Sequence, residues 1–424
     1  MQDSILVVLG ATGTGKTAFA VNLAKMLKEK HSLECECINA DVLQCYAGCP
    51  IVTNKATPEE QDGVPHHLLG FHDAYKDMTI QEFRKRASKL VEEMHSRNVL
   101  PIVVGGSDYY VKGLISRHFL VSEDQGGGGG GEGEGEEFAA AAAASDSAKD
   151  EIEAMDPAAA YEKLKQVDPI GAARLHPNNT RRVRRYLEIY ERTGEPASKL
   201  FKKQRKDAKE QGNLLYKCCI FLLEAEAGVL GQKLGARVDD MLKRGMLAEL
   251  EDLYASYEYK PQGIFKAIGV KEFADAFGRE GQVASKDSRE KKIEEALEEM
   301  KKNTEKLAKK QRKQMRRWLK REEISHHTID MTSGGGVDTV TSLAATVTDF
   351  LQAPEVVVRG SEEIVQWRAY HCTPCQRTLH GPQEWEEHKN SKAHRSSLKR
   401  ASLSSRTETC EFLSESNTVC IKYT

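Results

Sequence analysis

The fold of this chain is decided by the stretch Gly10-Ala11-Thr12-Gly13-Thr14-Gly15-Lys16-Thr17. It follows the apolar run of residues 5–9 and leads into residues 18–24, which have helical spacing. This is the G-x-x-x-x-G-K-[ST] pattern in the context of strand, glycine-rich turn and helix. The glycines let backbone N–H groups surround an anion at a helix N-terminus, so the stretch predicts a P-loop for phosphate groups.

Two side chains of the motif have chemical roles of their own. Lys16 supplies a mobile positive charge, and the Thr17 hydroxyl is placed to ligate a Mg²⁺ ion that bridges two phosphates. The motif alone does not decide whether the phosphates belong to a nucleotide or to another compound.

Length and composition set broad limits. The chain has 424 residues, enough for two to three domains, with 30% charged and 39% hydrophobic residues. A net charge of −2 excludes no class of partner, because the charge is unevenly distributed. No apolar run approaches the length of a membrane helix, and the scattered cysteines are typical of reduced thiols. The P-loop strand starts almost at Met1, so we expect no cleaved targeting peptide. We expect a cytoplasmic protein, with mitochondrion and nucleus left open.

Two further strands end in polar or glycine-rich turns. Residues 33–40 form a predicted strand that ends at Asp41, and residues 100–104 form another that ends at Gly105-Gly106-Ser107. Ligands bind outside the carboxyl ends of parallel strands, so Asp41 and Ser107 should face the P-loop. Asp41 could act on a ligand or only cap a turn or helix, and both interpretations stay open here. The pattern predicts an α/β fold, a P-loop NTPase-like doubly wound parallel sheet.

The middle of the chain contains an insertion. Residues 123–150 are a Gly/Glu/Ala low-complexity stretch, which cannot bury a core and is predicted to be a linker. Residues 151–204 follow as an inserted helical domain, with arginines at 181, 182, 184 and 185 that cannot all share one face. Residues 205–325 return to the core and end in a long basic helix around Trp318. A solvated amphipathic helix is one interpretation of that helix, and an RNA-facing surface is the one we prefer.

The C-terminal part has the spacing of a zinc finger. After a predicted linker at residues 326–364, Cys372, Cys375, His388 and His394 form a C-x₂-C-x₁₂-H-x₅-H set, which fits tetrahedral Zn²⁺. We predict a ββα finger over residues 365–400, with an RNA-binding or a protein-binding role, and a disordered tail over residues 401–424.

Taken together, the motifs resemble the tRNA dimethylallyltransferase (tRNA isopentenyltransferase) family, in order and in spacing. The C-terminal finger makes the chain similar to the eukaryotic branch. Besides the P-loop and the turn at Gly105, the matching segments are Asp41-x-x-Gln44-x-Tyr46, Thr53-Asn54-Lys55, His66-His67-Leu68, His176-Pro177-Asn178-Asn179, the arginines of residues 181–185, Arg237-Val238-Asp239-Asp240-Met241-Leu242, Ala267-Ile268-Gly269-Val270-Lys271-Glu272 and Lys309-Lys310-Gln311.

Three positions depart from the family pattern. Val42 stands where Ser is usual, which could weaken the ordering of the Asp41 loop. Ser107 replaces Thr and keeps the hydroxyl, and Val270 replaces a tyrosine and so loses an aromatic contact.

The resemblance implies transfer of a dimethylallyl group from dimethylallyl diphosphate to N6 of the adenosine on the 3′ side of the tRNA anticodon. It implies Asp41 as the base and Gly10 to Thr17 as the diphosphate site, with Mg²⁺ on Thr17. Lys16, Ser107 and Arg237 would contact the diphosphate or the target nucleotide. Contacts with the anticodon stem-loop are implied for Asp41, Val42, Leu43, Gln44, Arg181, Arg182, Val183, Arg184, Arg185, Lys266, Ala267, Ile268, Gly269, Val270 and Lys271. We expect a monomer that binds no membrane.

Two rival classes remain. A nucleotide or small-molecule kinase would share the P-loop and core, but it needs an arginine-rich lid over ATP and has no need of a zinc finger. A pure RNA-binding module would explain the finger and the basic helix, yet it leaves a carboxylate that faces a P-loop unexplained.

Overall fold

A computed structural model describes residues 3–117, 119, 151–211, 213–277, 286–333, 337–353, 369–375, 377–380, 382–401, 409–413 and 419–422. The predicted linker at residues 123–150 lies outside them. The chain divides into two compact units, which we describe separately. The first contains Met1–Leu120 and Ala208–Gly360, and the second contains Ala140–Asp207 and Ser361–Thr424. Within the described ranges, no helix has the length and apolar character needed to cross a membrane.

A six-stranded parallel sheet forms the centre of the first unit. Its strands follow the order β3-β2-β4-β1-β5-β6. All neighbours pair in parallel, with Leu9 opposite Gly105 and Asn39 opposite Val104. The strands are β1 (Ser4–Gly10), β2 (Cys35–Asn39), β3 (His66–His67), β4 (Leu100–Gly105), β5 (Lys217–Glu224) and β6 (His327–Asp330). This confirms the predicted doubly wound parallel sheet.

Helices cover both faces of this sheet, which explains why residues 5–9 of β1 are all apolar. Residues 5–9 of β1 are fully buried, as expected of a parallel strand with layers on either side. The helices of this unit are α1 (Lys16–His31), α2 (Val42–Cys45), α3 (Pro58–Gln61), α4 (Ile80–Ser96), α5 (Asp108–Ile115), α10 (Ala227–Lys243), α11 (Met246–Ser256), α12 (Ala274–Phe277), α13 (Lys286–Arg321) and α14 (Val337–Gln352), with 3₁₀ turns at Gly263–Lys266 and Lys271–Phe273.

The prediction of a linker at residues 326–364 was wrong in its first part. Strand β6 extends the sheet beside β5. Helix α14 lies against α1, where Leu343 and Val347 are buried and the side chains of Thr348 and His31 lie 3.1 Å apart. Leu343 and Val347 stand four residues apart, the spacing of one helix face, and this periodicity supplies an apolar face that a linker would lack.

The inserted segment of the second unit is helical, as predicted. Its helices are α6 (Pro157–Val167), α7 (Pro169–Ala172), α8 (Thr180–Thr193) and α9 (Ala197–Gln211). The buried carboxylate of Asp168 accepts hydrogen bonds from the Gly171 N–H at 2.8 Å and from the Ser198 N–H at 2.8 Å. One buried side chain thereby fixes α7 to the start of α9.

The C-terminal segment of the second unit departs from a simple ββα finger. Strands β7 (Ala369–Cys372) and β8 (Arg377–His380) precede two helices, α15 (Pro382–Lys389) and α16 (Lys392–Ala401). Strands β9 (Thr409–Leu413) and β10 (Val419–Lys422) complete a four-stranded sheet in which β9 pairs with β7. The prediction of disorder over residues 401–424 was therefore wrong for these two strands. Each contains β-branched or aromatic residues, which favour extended pairing over disorder.

Candidate functional site

The P-loop connects β1 to α1 and closes on itself. Gly13 and Gly15 have φ of +84° and +83°, which side chains with a Cβ rarely adopt. A Cβ on Gly13 would also lie 2.7 Å from Leu234 Cδ2. Thr14 Oγ1 and Lys16 Nζ donate to the Ala11 carbonyl at 2.8 and 3.0 Å. The loop is therefore shaped by its own sequence before any ligand arrives.

Three strand ends meet at this loop, as the sequence predicted. A Cβ on Gly105 would lie 2.9 Å from Ala40 Cβ, and one on Gly106 would lie 3.4 Å from the Gly10 carbonyl oxygen. The backbones after β2 and β4 thus approach more closely than a side chain would allow, and the turn after β4 lies within contact distance of Gly10. Ser107 follows at the N-cap position of α5, where its hydroxyl makes no capping hydrogen bond. That hydroxyl is half-buried beside the loop.

Asp41 both caps a helix and faces the P-loop. Its Oδ1 accepts a hydrogen bond from the Leu43 N–H at 3.1 Å, which starts α2. Among the described residues, none donates a hydrogen bond to Oδ2. The carboxylate is close enough to Lys16 and Arg237 to affect the pKa of each. Capping therefore orients one oxygen and leaves the other able to take a proton.

Two cations share the site with Asp41. Arg237, from α10, donates from Nη1 to Thr12 Oγ1 at 2.7 Å. Its Nε is buried and has no hydrogen-bond partner among the described residues. Burial lowers the pKa of Arg237 below its ordinary value, and Asp41 opposes that shift. A buried donor without an acceptor is costly, so this geometry favours a bound anion.

Lys16 is also destabilised as a cation when the loop holds no anion. Burial, the largest cause, lowers the pKa of Lys16 to about 8, Asp41 raises it, and Arg237 lowers it. An oxyanion in the loop would favour the charged form again.

This shift predicts a pH dependence of anion binding. Lys16 is protonated below pH 8 and loses its proton above it, so affinity for a diphosphate should hold below that value. Above it, affinity should fall by up to about tenfold per pH unit. Titration calorimetry with dimethylallyl diphosphate between about pH 7 and 9.5 measures this. Lys16→Met is the control, because its weaker binding should show no such decline. A decline that persists in Lys16→Met would assign the titration to another group.

Gln311 belongs to the site, although its only signal in the sequence is the family resemblance of residues 309–311. It lies on α13, and its Oε1 accepts a hydrogen bond from the Thr12 N–H at 2.8 Å. A Cβ on Gly106 would lie 3.0 Å from its Nε2. Gln311 thus joins the tip of the P-loop to the turn after β4. The sequence signal for this contact is the glycine at position 106, which indicates that another group lies close to the backbone there. A glycine does not indicate which residue that group belongs to.

The basic helix α13 faces the core as well as solvent. Glu224, the buried last residue of β5, pairs with Arg312 at 3.0 Å and with Arg316 at 2.6 Å. Trp318 is 1% exposed, and Lys112 Nζ lies 5.1 Å from its ring centroid. The interpretation of Trp318 as the centre of an RNA-facing surface was therefore wrong. Other exposed cations of this helix include Lys306, Lys309, Lys310, Lys313 and Lys320.

The candidate RNA contacts near the P-loop fall into two groups. Lys266 and Lys271 are exposed, and Lys266 pairs with Asp77 at 2.5 Å. Gln44 is half-buried and donates from Nε2 to the Asn54 carbonyl at 2.9 Å. Other candidates pack against the core instead: Val42, Leu43 and Ile268 partly, and Ala267, Gly269 and Val270 fully. The side chains of Ala267 and Val270 support the fold and do not reach an RNA.

The arginines at 181, 182, 184 and 185 of the helical insert likewise present a smaller exposed surface than the sequence suggests. Val183 is fully buried, so its side chain contacts no RNA. Arg184 donates from Nη2 to the Met155 carbonyl at 2.9 Å, and Arg185 pairs with Glu188 at 3.1 Å. Arg181 is exposed and Arg182 half-exposed. This agrees with the expectation that the four arginines cannot share one face.

The four metal-ligand candidates of the finger come together. The ligand atoms of Cys372, Cys375, His388 and His394 all lie within 4.8 Å of one another. Nδ1 of His394 lies 3.4 Å from the Sγ of each cysteine. Ligands that share a tetrahedral Zn²⁺ lie roughly 3.3–3.8 Å apart, so the group fits zinc. Beside this group the rings of Trp385 and Tyr370 are stacked, with their centroids 5.4 Å apart.

The fold and site together define a P-loop α/β protein whose anion site is flanked by a carboxylate and two cations, with a Cys₂His₂ group in its second unit. The IPP transferase family matches residues 44–322. The chain belongs to this family.

Relatives and solved structures agree over most of the chain. A human tRNA dimethylallyltransferase is 32% identical over 437 residues, which cover 93% of this chain and 86% of the relative. That of Saccharomyces cerevisiae is 30% identical over 435 residues, covering 94% and 93%. The crystal structure of a eukaryotic dimethylallyltransferase acting on tRNA is similar with a TM-score of 0.73 at 28% identity, covering 95% of this chain and 98% of that one. A full-length tRNA isopentenylpyrophosphate transferase from Bacillus halodurans has a TM-score of 0.54 at 29% identity, covering 83% and 97%.

Proposed function

We propose that this protein is a tRNA dimethylallyltransferase. It transfers the dimethylallyl group of dimethylallyl diphosphate to N6 of the adenosine adjacent to the 3′ side of the anticodon, giving N6-isopentenyladenosine. The observation that carries the proposal is the placement of Asp41 beside a P-loop that contains Lys16 and is contacted by Arg237 from α10. The base would then act on the attacking nitrogen, and the anion site would stabilise the leaving diphosphate of the same substitution.

The bond changes balance without a further reactant. The N6 lone pair attacks C1 of the dimethylallyl group, the C1–O bond breaks, and diphosphate leaves with the bonding pair. The proton on N6 passes to Asp41. This nitrogen is a poor nucleophile because its lone pair is delocalised into the purine ring. A positioned carboxylate that accepts the proton therefore contributes about 10²–10⁴ in rate.

The leaving diphosphate is the charge that the P-loop stabilises. The loop amides, Lys16 and the Arg237 guanidinium supply donors that need no rearrangement when the C1–O bond breaks. Ser107 supplies a hydroxyl from the neighbouring strand end. A diphosphate oxygen that accepts from Arg237 Nε would satisfy the buried donor that has no partner among the described residues.

Magnesium fits this site through one protein ligand. Mg²⁺ usually keeps several waters and takes substrate phosphates with one or two protein oxygens. The half-buried Thr17 hydroxyl at the start of α1 is such an oxygen. When bound there, the ion neutralises charge on the diphosphate.

The target adenosine must leave the anticodon stack to reach Asp41. The exposed Lys266, Lys271 and Arg181 and the half-exposed Arg182 are the side chains that we assign to the tRNA backbone, with Gln44 near the base. We place the reaction in the cytoplasm and leave the mitochondrion and the nucleus open. We propose that the enzyme acts as a monomer.

A direct assay tests this function against the kinase alternative. Unmodified tRNA and labelled dimethylallyl diphosphate are incubated with Mg²⁺ and without ATP, and the label should appear in an adenosine beside the anticodon. A tRNA with guanosine at that position should accept none, because guanine has no N6 amine. The kinase alternative is not favoured by the relatives. Phosphorylation of an acceptor from ATP without prenyl transfer would reinstate it.

Zinc removal gives a separate prediction for the finger. We propose that the finger adds contacts to tRNA phosphates. Zinc binding supplies folding energy in a small module, so Cys375→Ser should lose zinc and unfold residues 370–400 while the first unit keeps its melting transition. Affinity for tRNA should fall and depend less steeply on salt. His380→Gln, outside the ligand group, is the control. Equal tRNA affinity and salt dependence in Cys375→Ser would assign the finger to another partner.

A further inference from the structure

The side chain of Asn39 is committed to the backbone around Asp41. Asn39 ends β2 and is 6% exposed. Its Oδ1 accepts from the Asp41 N–H at 3.0 Å, and its Nδ2 donates to the Asp41 carbonyl at 3.0 Å. One amide therefore holds both peptide groups of the residue that carries the carboxylate.

The same amide also crosses to the next strand. Nδ2 donates to the Leu68 carbonyl at 3.1 Å, and Leu68 has a φ of +61°. That conformation is uncommon for a branched side chain and is retained only where its surroundings fix it. The Gly70 N–H donates to the Gln44 carbonyl at 2.9 Å and extends the connection. The turn after β2 is thus fixed to the segment after β3.

The hydrogen bonds that the turn itself makes to Asp41 are short-range, from the Leu43 and Gln44 N–H groups. Helix α2 has four residues, too few to hold its own N-terminus in place. Val42 follows Asp41 directly, and its side chain can neither donate nor accept a hydrogen bond. The sequence led us to expect that Val42 weakens the ordering of this loop. The hydrogen bonds from Asn39, two positions before Asp41, order it instead.

We infer that Asn39 is a positioning residue for the transfer reaction, which fixes Asp41 in the orientation that accepts the N6 proton. This inference rests on the proposed function and extends it to a side chain that does not itself touch the substrate. Beyond Asp41, the Asn39 amide bonds to the Leu68 carbonyl and lies 3.5 Å from Cys45 Sγ, neither of which is assigned to a substrate. Its removal should therefore affect the chemical step and leave substrate binding intact.

The test combines Asn39→Ala with Asp41→Asn. Misplacing a reacting group by about 1 Å costs up to roughly 10²-fold, so Asn39→Ala should lower kcat by about 10–100-fold. KM for both substrates should stay within about twofold. In the Asp41→Asn background, Asn39→Ala should cost nothing further, because the two residues act as one unit.

Asn39→Ser is the conservative variant and should recover part of the rate. A serine hydroxyl can bond the N–H two residues on, more weakly than asparagine. Asn213→Ser, which removes a hydrogen bond to Glu322 elsewhere in this unit, is the control and should keep the wild-type rate. Thermal unfolding checks that each variant folds, and Asn39→Ser serves if Asn39→Ala does not.

Where Asn39→Ala loses activity, two results would overturn the inference. One is an equal loss of rate from Asn39→Ala with and without Asp41→Asn, and the other is a loss confined to KM. Wild-type protein that transfers no prenyl group would overturn the proposed function and this inference together. Active wild-type protein with fully active Asn39→Ala would overturn the inference alone.

Discussion

Replacing Asp41 with asparagine should lower turnover by about 10²–10⁴ while tRNA affinity changes little. The variant keeps the size of the side chain, and its amide oxygen can still accept from the Leu43 N–H and cap α2. What it loses is the capacity to take a proton from N6. The substitution therefore separates the capping role of Asp41 from its proposed role as the base, because a capping residue alone would tolerate this change.

Single-turnover transfer at saturating tRNA measures the rate of the chemical step, and a binding titration with unmodified tRNA measures the affinity for tRNA. Asp62→Asn is the matched control, because this exposed carboxylate pairs with Lys25 at 2.5 Å on the surface, where ion pairs contribute little. Near-wild-type turnover in Asp41→Asn would leave Asp41 as a helix cap only, and the site would then lack a base.

The sequence predicts the parts of this site that are encoded locally. The P-loop, the Asp41 turn and the turn at Gly105 each lie at the end of an apolar strand, and parallel pairing alone brings such ends to one edge. The four zinc-ligand candidates are also encoded locally, because ligand type and spacing within a short segment determine the group.

The parts that depend on distant segments could not be predicted in this way. Gln311 reaches Thr12 from 299 residues away, and nothing in either segment specifies the other. Glu224 pairs with two of the basic residues that a charge pattern alone would assign to RNA. Trp318 is in the core because its helix packs there, whereas its basic neighbours suggested a surface. Pairing across the fold decides whether a charge is free to bind a partner.

Removing the fork of Arg237 should have an effect as large as removing a single oxyanion donor, about 10²–10³ in rate. Arg237→Lys keeps a charge but has no planar set of donors. It cannot donate to Thr12 Oγ1 and also offer the donor that Nε provides. Dimethylallyl diphosphate should still bind, because the loop amides and Lys16 remain, while the rate of C1–O cleavage falls.

Single-turnover transfer and the affinity for inorganic diphosphate, the leaving group itself, distinguish these steps. The diphosphate affinity of Arg237→Lys should fall along with the rate, since the leaving group carries the charge that develops in the transition state. Arg244→Lys is the matched control, because Arg244 lies at the end of the same helix and pairs with Asp240 at 2.9 Å at the surface. A wild-type transfer rate in Arg237→Lys would mean that the buried Nε serves the fold, and the charge of the leaving diphosphate would then rest on Lys16 and the loop amides alone.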